Sequence, residues 1–472
     1  MMARPVWWAV ADSQLDEVAV VNEKGRTSLL DVATLAEDAA RERARIMTVQ
    51  QGLLRSLVVE AHNADPEATS AALAGSPSGL RLASVVWRGA KGWRAEDPSG
   101  LYPASFGAIA DALGLDAPEL GDADAADVAE DAAHALALLH DAWCGVVENV
   151  AGVRPRNTIA GTAAAAAIPP RWHRWALSQG RSELWTSVRR AYYGGRVQWW
   201  QERTPLEDED VTVYDVHSLY GSVMLGELPD PKLYEGTTAG GRVPHWLDVT
   251  VTVQGDPGPL PRRNEARAWS LDWPTFGTWR GWYAQPDLER EGVRIDKVHR
   301  IVSGRWSMDL AEPVGRWLDL RSSTSCTATA KLCKLLVNTL AGKLCQRPMR
   351  WKLVSARVAP EGAQPIHPDF PLFAVPDTDA AYQPFAAPAV GSWVTSAARA
   401  VVWPELVRGA HYTDTDSVHR ASSAPPPLNM GDAPGQWAVE AQGSHRYTAV
   451  KRYRVGDRVA GVRRKLMSHE IR

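Results

Sequence analysis

Cysteine is scarce. Cys144, Cys326, Cys333 and Cys345 are the only four in 472 residues. None forms a Cys-x-x-Cys pair and no histidine stands at ligand spacing, which argues against a zinc module or a disulfide framework and leaves reduced thiols as the default. Long apolar runs are also missing: no stretch approaches the roughly 20 residues of a membrane span. The opening MMARPVWWAVADSQ is interrupted by Asp12 too soon for a secretory leader, so a cytoplasmic protein with no membrane partner is expected. Charge of one sign is lacking as well. At a net −3, composition announces no polyanionic partner, and only the distribution of charge can. Acid gathers at 115–131 (LDAPELGDADAADVAED) and base at 446–465 (RYTAVKRYRVGDRVAGVRRK). The basic run reads first as a solvated face. What is plentiful is tryptophan, with 21 copies; most belong in cores or interfaces, and a few could stack on bases. A chain 45% apolar and 23% charged has globular composition, and its length calls for two or more structural units.

Along the chain, residues 1 to about 150 read as α/β. LVVEA (57–61) and RLASVVW (81–87) have the β-branched character of strands. ATLAEDAARERARIMTVQQGLLRSL and DVAEDAAHALALLHDAWCGVVENV carry helical spacing, and AGTAAAAAIPPRW ends a helix at Pro169. TVYDVHSLYGSVM reads as a strand running into a turn and helix. The span 225–315 is rich in Pro, Gly and Trp and promises short strands at best. TSCTATAKLCKLLVNTLAGKL reads as a helix closed by Gly342. Residues 346–390 read as Pro-rich and irregular, and VGSWVTSAARAVVWPELV as helix.

HYTDTDSVH (411–419) sets Asp414 and Asp416 one residue apart. Like charges so close repel unless something offsets them. Three readings fit: a solvated hairpin tip, a structural cation site, or ligands for catalytic magnesium. Asp215, after the apolar VTVY, offers a third carboxylate from another strand, as a two-metal centre requires. Lys331, Lys334 and Asn338 fall at i, i+3 and i+7 on one helical face, which suits a triphosphate or, more blandly, solvent.

In order along the chain, these segments resemble the motifs of the family B DNA polymerases. Asp215-Val216-His217-Ser218-Leu219-Tyr220-Gly221 resembles motif A, D-x-x-S-L-Y-P. Lys334, Asn338, Thr339, Ala341 and Gly342 resemble motif B, K-x-x-x-N-S-x-Y-G. Tyr412, Asp414, Thr415, Asp416 and Ser417 match motif C, Y-x-D-T-D-S, in full. Tyr192, Gly194 and Gly195 resemble the Y-x-G-G motif associated with template contact, and Lys451 and Tyr453 the K-x-Y motif at the primer end. AGVRRK (460–465) resembles an Ala-Gly segment that follows it, and EDPSGLYPASFGAIADALGL (96–115) a segment of the exonuclease domain. Chain length and spacing look most like the protein-primed phage branch.

That resemblance implies an α/β and α+β multidomain fold: an RNase H-like exonuclease-type domain followed by a right-hand polymerase with palm, fingers and reduced thumb. The expected divisions are 1–188 for a degenerate exonuclease-like domain, 189–244 for palm with Y-x-G-G and motif A, and 245–316 for a first insertion. Fingers with motif B follow at 317–345, a second insertion at 346–391, palm with motif C at 392–445, and K-x-Y with a truncated thumb at 446–472. The insertions occupy the positions of the two terminal-protein regions. The resemblance implies two Mg2+ ions, with Mn2+ able to substitute, held by Asp215, Asp416, the Val216 carbonyl and, in support, Asp414. Nucleotide-binding residues would be Tyr220, Ser218, Leu219, Lys334 and Asn338, with Val216; Lys334 would bind phosphates and protonate the leaving group. Lys331 is added from helical spacing alone. Tyr220 would exclude a 2′-hydroxyl. Partners would be deoxynucleoside triphosphates and a DNA primer-template or a terminal protein primer, in a bacterial or phage-infected cell.

Departures matter as much. Gly221 replaces a proline and should loosen the turn. Ala341 replaces a tyrosine beside the nascent base pair, predicting relaxed nucleotide selection. The exonuclease ligands look broken: RPVWWAVADSQ reads as beginning one strand late, Asp12 with Gln14 substitutes poorly for Asp-x-Glu, Glu67 stands where Asp is expected, and Asp131 alone resembles the third motif. No proofreading and a short thumb are expected. Two rival functions remain: a template-independent or protein-acceptor nucleotidyltransferase derived from such polymerases, and an inactive polymerase-fold scaffold or nucleic-acid-binding protein.

Overall fold

A computed structural model describes residues 5–11, 17–65, 69–74, 81–87, 92–115, 126–179, 182–206, 209–236, 243–263, 271–346, 350–360, 363–366, 370–377 and 386–460. Asp12, Gln14, Glu67 and 461–465 lie outside them. The chain divides into two compact units. The first gathers 1–166, 319–339 and 347–381; the second gathers 167–318, 340–346 and 382–472.

The first unit is built on a seven-stranded sheet of β1 (Val6–Ala11), β2 (Val18–Asn22), β3 (Thr27–Leu30), β4 (Arg45–Met47), β5 (Thr69–Ala74), β6 (Arg81–Trp87) and β7 (Arg94–Glu96), ordered β3-β2-β1-β4-β7-β6-β5. β1 runs parallel to β4 and β4 parallel to β7, while the remaining pairs are antiparallel. Side chains alternate across β1. Trp7, Ala9 and Ala11 join a core with helices α1 (Val32–Glu42) and α2 (Gln51–Ala64), whereas Trp8 and Val10 pack on Ala129, Ala132, Ala133 and Leu136 of the helix Ala126–Ala151. Both faces are therefore covered, which explains β1's nearly unbroken apolar run.

Two expectations fail here. LVVEA is not a strand. Leu53, Leu54, Leu57, Val58 and Ala61 of α2 all face the core at helical spacing, and that burial overrides the β preference of two valines. The long helix read through ATLAEDAARERARIMTVQQGLLRSL is a helix, a strand and a helix. Arg43 turns left-handed at φ 56 to close α1, and Arg45–Met47 then slots between β1 and β7. β1 is paired on both edges and opens the β1-β2-β3 meander.

The second unit carries a five-stranded antiparallel sheet. β8 (Val197–Trp199) pairs with Tyr412–Asp414, which turns into Ser417–Ala421. That strand pairs with β9 (Val211–Val216), and Trp437–Gly443 closes the order. The helix Pro388–Val407 lies against it, with Ala398, Val402 and Leu406 packed on Tyr214, Val216, Val418 and Trp437. A four-stranded sheet holds His245–Gln254, Phe276–Ala284 and Val293–Ser303, of 10, 9 and 11 residues. The expectation of short strands between 225 and 315 is thus wrong. Val249, Val251 and Val253 alternate inward from threonines, a period-two signal that Pro and Trp nearby obscured. Gly342 does not close its helix, which spans Thr327–Leu344. The span 346–390 is not wholly irregular either, since Arg350–Ser355, Gln364–Pro365 and Leu372–Asp377 form a sheet in the first unit. No helix among the described residues is long and apolar enough to cross a membrane.

Candidate active site

Backbone pairing brings Asp215 and Asp416 side by side. Asp215 stands opposite Ser417 in the β9 register, and the next amide, Val216 N–H, donates to the Asp416 carbonyl at 2.9 Å. The buried VTVY run anchors β9 and leaves Asp215 half-buried at its end. Across the turn, Asp416 N–H donates to the Asp414 carbonyl at 2.8 Å. Thr415 between them adopts φ 67, a left-handed conformation that a β-branched residue rarely takes. Its N–H donates to the Arg196 carbonyl at 2.8 Å, and Thr413 Oγ1 donates to the Ser417 carbonyl at 2.9 Å.

Lys451 reaches the same place. Its Nζ lies 3.0 Å from Asp414 Oδ1, and its N–H donates to the Tyr412 hydroxyl at 2.7 Å. It too is left-handed, at φ 62, as is Ser218 at φ 50 before the helix Leu219–Met224. Among the described residues, four non-glycine residues have positive φ, and three of them sit in these motifs. Backbone strain of this kind clusters at functional sites. Gly221, expected to loosen the motif A turn, instead lies inside the helix; the left-handed step is at Ser218.

Tyr453 is buried edge-on to Tyr412, with ring centroids 5.1 Å apart. Burial raises its phenol pKa, and the neighbouring Tyr412, Asp414, Asp215 and Asp416 raise it further. Burial pushes the Tyr220 phenol up to about 12, with Asp416 acting in the same direction and Arg399 opposing it. Arg458, which pairs with Glu440, is a charged neighbour of the three carboxylates that the sequence reading did not name. Burial lowers its pKa, while Asp215, Asp416 and Asp414 oppose the shift. Its only sequence signal was membership of the basic run at 446–465.

The Tyr-x-Gly-Gly loop joins the turn directly. An ideal Cβ on Gly195 would clash with the Thr415 side chain. Tyr192 is half-buried, and Tyr193 stacks on Tyr283 at 5.3 Å and 19°. Arg399 donates to the carbonyls of Tyr193 and of Gly194, the latter at 2.9 Å. Arg399 is itself held by the fully buried Asp287, which also pairs with Arg290 at 2.5 Å. Burial alone would raise the Asp287 carboxyl, yet Arg399 and Arg290 hold it below the usual range. The clue to this cluster was an arginine inside the otherwise apolar helix segment TSAARAVV.

Lys331, Lys334 and Asn338 share an exposed stripe of the helix Thr327–Leu344, opposite the buried Leu332, Leu336, Val337 and Leu340. These three belong to the first unit and the carboxylates to the second. Ala341 is buried, so a tyrosine there would require its neighbours to move. Asp131, the remaining exonuclease candidate within the described residues, is exposed on its helix.

Among the described residues no three acidic, histidine or cysteine side chains enclose a metal position. Backbone pairing nevertheless gathers the oxygen donors Asp215, Asp414 and Asp416 at neighbouring positions, with Lys451 paired to Asp414 and Arg458 nearby. Such a donor set fits a hard divalent ion that keeps other positions for phosphates.

Residues 177–359 match the family described as DNA polymerase type B, organellar and viral. No curated protein matches the chain in sequence. In fold it is similar to phi29 DNA polymerase complexed with primer-template DNA and incoming nucleotides. The TM-score is 0.73 at 17% identity, covering 96% of this chain and 87% of that one. The binary primer-template complex gives 0.67 at 17% identity, and the complex with single-stranded DNA gives 0.67 at 16%, each with the same coverage. Residues 177–359 thus carry the sequence of the organellar and viral type B DNA polymerases, and 96% of the chain shares its fold with phi29 DNA polymerase.

Proposed function

We propose that the chain copies a DNA template by deoxynucleotidyl transfer at a two-metal centre, primed by a protein hydroxyl and without proofreading. The observation that carries this reading is the adjacency of Asp215 and Asp416 on paired strands, with Asp414 held by Lys451 at 3.0 Å. Asp215, Asp416 and the Val216 carbonyl would hold two magnesium ions, supported by Asp414. Bound there, the ions would supply Lewis acidity toward the primer hydroxyl and charge compensation for the leaving pyrophosphate. Lys334 grips the incoming triphosphate and donates a proton to the leaving group; Lys331 and Asn338 extend the same stripe. Tyr220, with Ser218 and Leu219, forms the floor under the sugar. Tyr192, Gly194 and Gly195 guide the template, and Lys451 and Tyr453 hold the primer end. The complexes of the phage relative with primer-template DNA, single-stranded DNA and nucleotides support these partners. Protein priming is supported by the phage-like fold. The lack of proofreading is supported by β1, VWWAVA, which carries no carboxylate.

The test supplies magnesium and labelled deoxynucleotides with primer-template, single strand or no DNA. Template-directed extension, lost in Asp416→Asn, is expected. Incorporation that ignores the template would favour the template-independent rival, and none in any arm the inactive scaffold. Release of 3′-terminal nucleotides that disappears in Asp131→Ala would overturn the absence of proofreading.

A further inference from the structure

Within the second unit, a cleft of about 940 Å³ opens beside the Tyr-x-Gly-Gly loop. Arg190, Arg262, Arg263 and Arg280 line it, all four exposed, together with Tyr193 and Trp279. Among the described residues, two carboxylates stand near these four cations. Asp248 is taken up by Arg280, which donates to it through two nitrogens at 2.9 and 2.6 Å. Asp272 lies a loose 3.8 Å from Arg262. Against these two carboxylates, the four guanidinium groups leave the described lining net positive.

Two of these guanidinium groups are held in place. Arg263 lies over the Tyr193 ring, 4.9 Å from its centroid, and its Nη2 donates to the carbonyls of Tyr192 at 2.6 Å and Arg190 at 3.2 Å. Arg262 lies over Trp279 at 5.6 Å. The rings beneath are themselves fixed. Trp279 Nε1 donates to the Tyr283 hydroxyl at 2.7 Å, that hydroxyl donates to the Pro261 carbonyl at 2.8 Å, and Tyr193 stacks on Tyr283. A guanidinium laid on a ring keeps N–H edges directed outward, the geometry that meets phosphate oxygens in pairs.

We propose that this cleft binds the phosphodiester backbone of single-stranded DNA, extending the template path beyond the Tyr-x-Gly-Gly loop. The proposal rests on the polymerase reading. The cleft shares Tyr193 with that loop, and Gly195 of the same loop packs on the turn between Asp414 and Asp416. A strand following the loop away from the carboxylates therefore meets the arginines.

The experiment measures binding of the full chain to labelled oligo(dT) and to a blunt hairpin duplex across a salt series. The variants are Arg190→Gln/Arg262→Gln and Arg190→Lys/Arg262→Lys; both spare Arg263. Each phosphate contact on a single strand contributes about 0.7 to the slope of log K against log salt. The Gln pair is expected to lower that slope by roughly 1.4 for oligo(dT) and to leave the duplex nearly unchanged, while the Lys pair keeps the slope. An unchanged slope and affinity in the Gln variant would overturn the cleft. So would an equal loss on duplex, and so would wild-type cleft binding that poly-glutamate displaces but oligo(dT) does not, which would assign it to an acidic protein. Failure of the wild type to bind DNA in any arm would overturn the polymerase reading as well. Wild-type binding with an indifferent Gln variant would overturn the cleft alone.

Discussion

An ideal Cβ on Gly195 would stand 2.5 Å from Cγ2 and 2.7 Å from Oγ1 of Thr415. The second glycine of Tyr-x-Gly-Gly is thus the space filled by the side chain at the centre of Thr-Asp-Thr-Asp. Thr415 is already left-handed at φ 67, so it cannot retreat without moving Asp414 and Asp416. The Tyr-x-Gly-Gly loop and the carboxylate turn are one packed object.

Gly195→Ala is therefore expected to slow incorporation about 100-fold, the scale on which a 1 Å misplacement acts. Thr415→Gly in the same chain removes the clashing atoms and tolerates positive φ, and should restore much of the rate. Single-turnover incorporation at saturating DNA checks both. Equal rates for wild type and Gly195→Ala would show that the turn yields.

The three carboxylates should not be equivalent. Asp414 is occupied by Lys451 at 3.0 Å, whereas Asp215 and Asp416 are joined through the β9 pairing. Asp215→Asn and Asp416→Asn are expected to abolish measurable incorporation, and Asp414→Asn to leave a reduced rate. Initial rates across a magnesium titration would decide, and a dead Asp414→Asn beside an active Asp416→Asn would invert the ranking.

How much of this was legible beforehand depended on whether the cause was local. Asp215, Asp414 and Asp416 were readable because apolar strands flank them at short range, and the strand-turn-helix around Tyr220 followed for the same reason. Two elements were misread where tertiary burial outweighed propensity: the valines of α2, and the strand Arg45–Met47 hidden inside an apparent helix. The Asp287 cluster and the Gly195–Thr415 contact join residues far apart in sequence, so no window could contain them. Arg458 was visible only as one charge in a basic run.

Beneath the motif C hairpin, the Tyr447 hydroxyl bridges His411 Nε2 at 3.0 Å and His419 Nδ1 at 2.7 Å. Burial pushes His411 down to about 3 and His419 well below its ordinary value. A depressed folded-state pKa gives stability that is complete above the unfolded value of 6.5 and declines as pH falls from there towards the folded value. The urea midpoint is expected to fall steadily below pH 6.5, and His411→Gln/His419→Gln to flatten that fall. Tyr447→Phe leaves buried ring nitrogens unpaired and should cost about 1–3 kcal/mol at pH 7.5. A wild-type midpoint that stays flat down to pH 4 would contradict the assignment.

Asp287 sits with no exposure between Arg290 and Arg399. Asp287→Asn would leave two buried guanidinium groups without a counter-charge, an expected loss of about 3–5 kcal/mol in urea unfolding. Its acid dependence has a defined sign. The folded pKa lies below the ordinary aspartate value of 3.8, so the carboxylate's contribution is complete above 3.8 and is lost as pH falls through the lower folded value. That component should be absent from the Asn variant. Replacing all three charges, as Asp287→Leu/Arg290→Met/Arg399→Met, removes the unpaired groups together and should recover most of the stability. It should not recover synthesis, because Arg399 also donates to the Tyr193 and Gly194 carbonyls and no methionine can hold that loop. A stable triple variant with weakened template binding would show that the cluster serves the loop. A stable and fully active one would show that it serves the core alone.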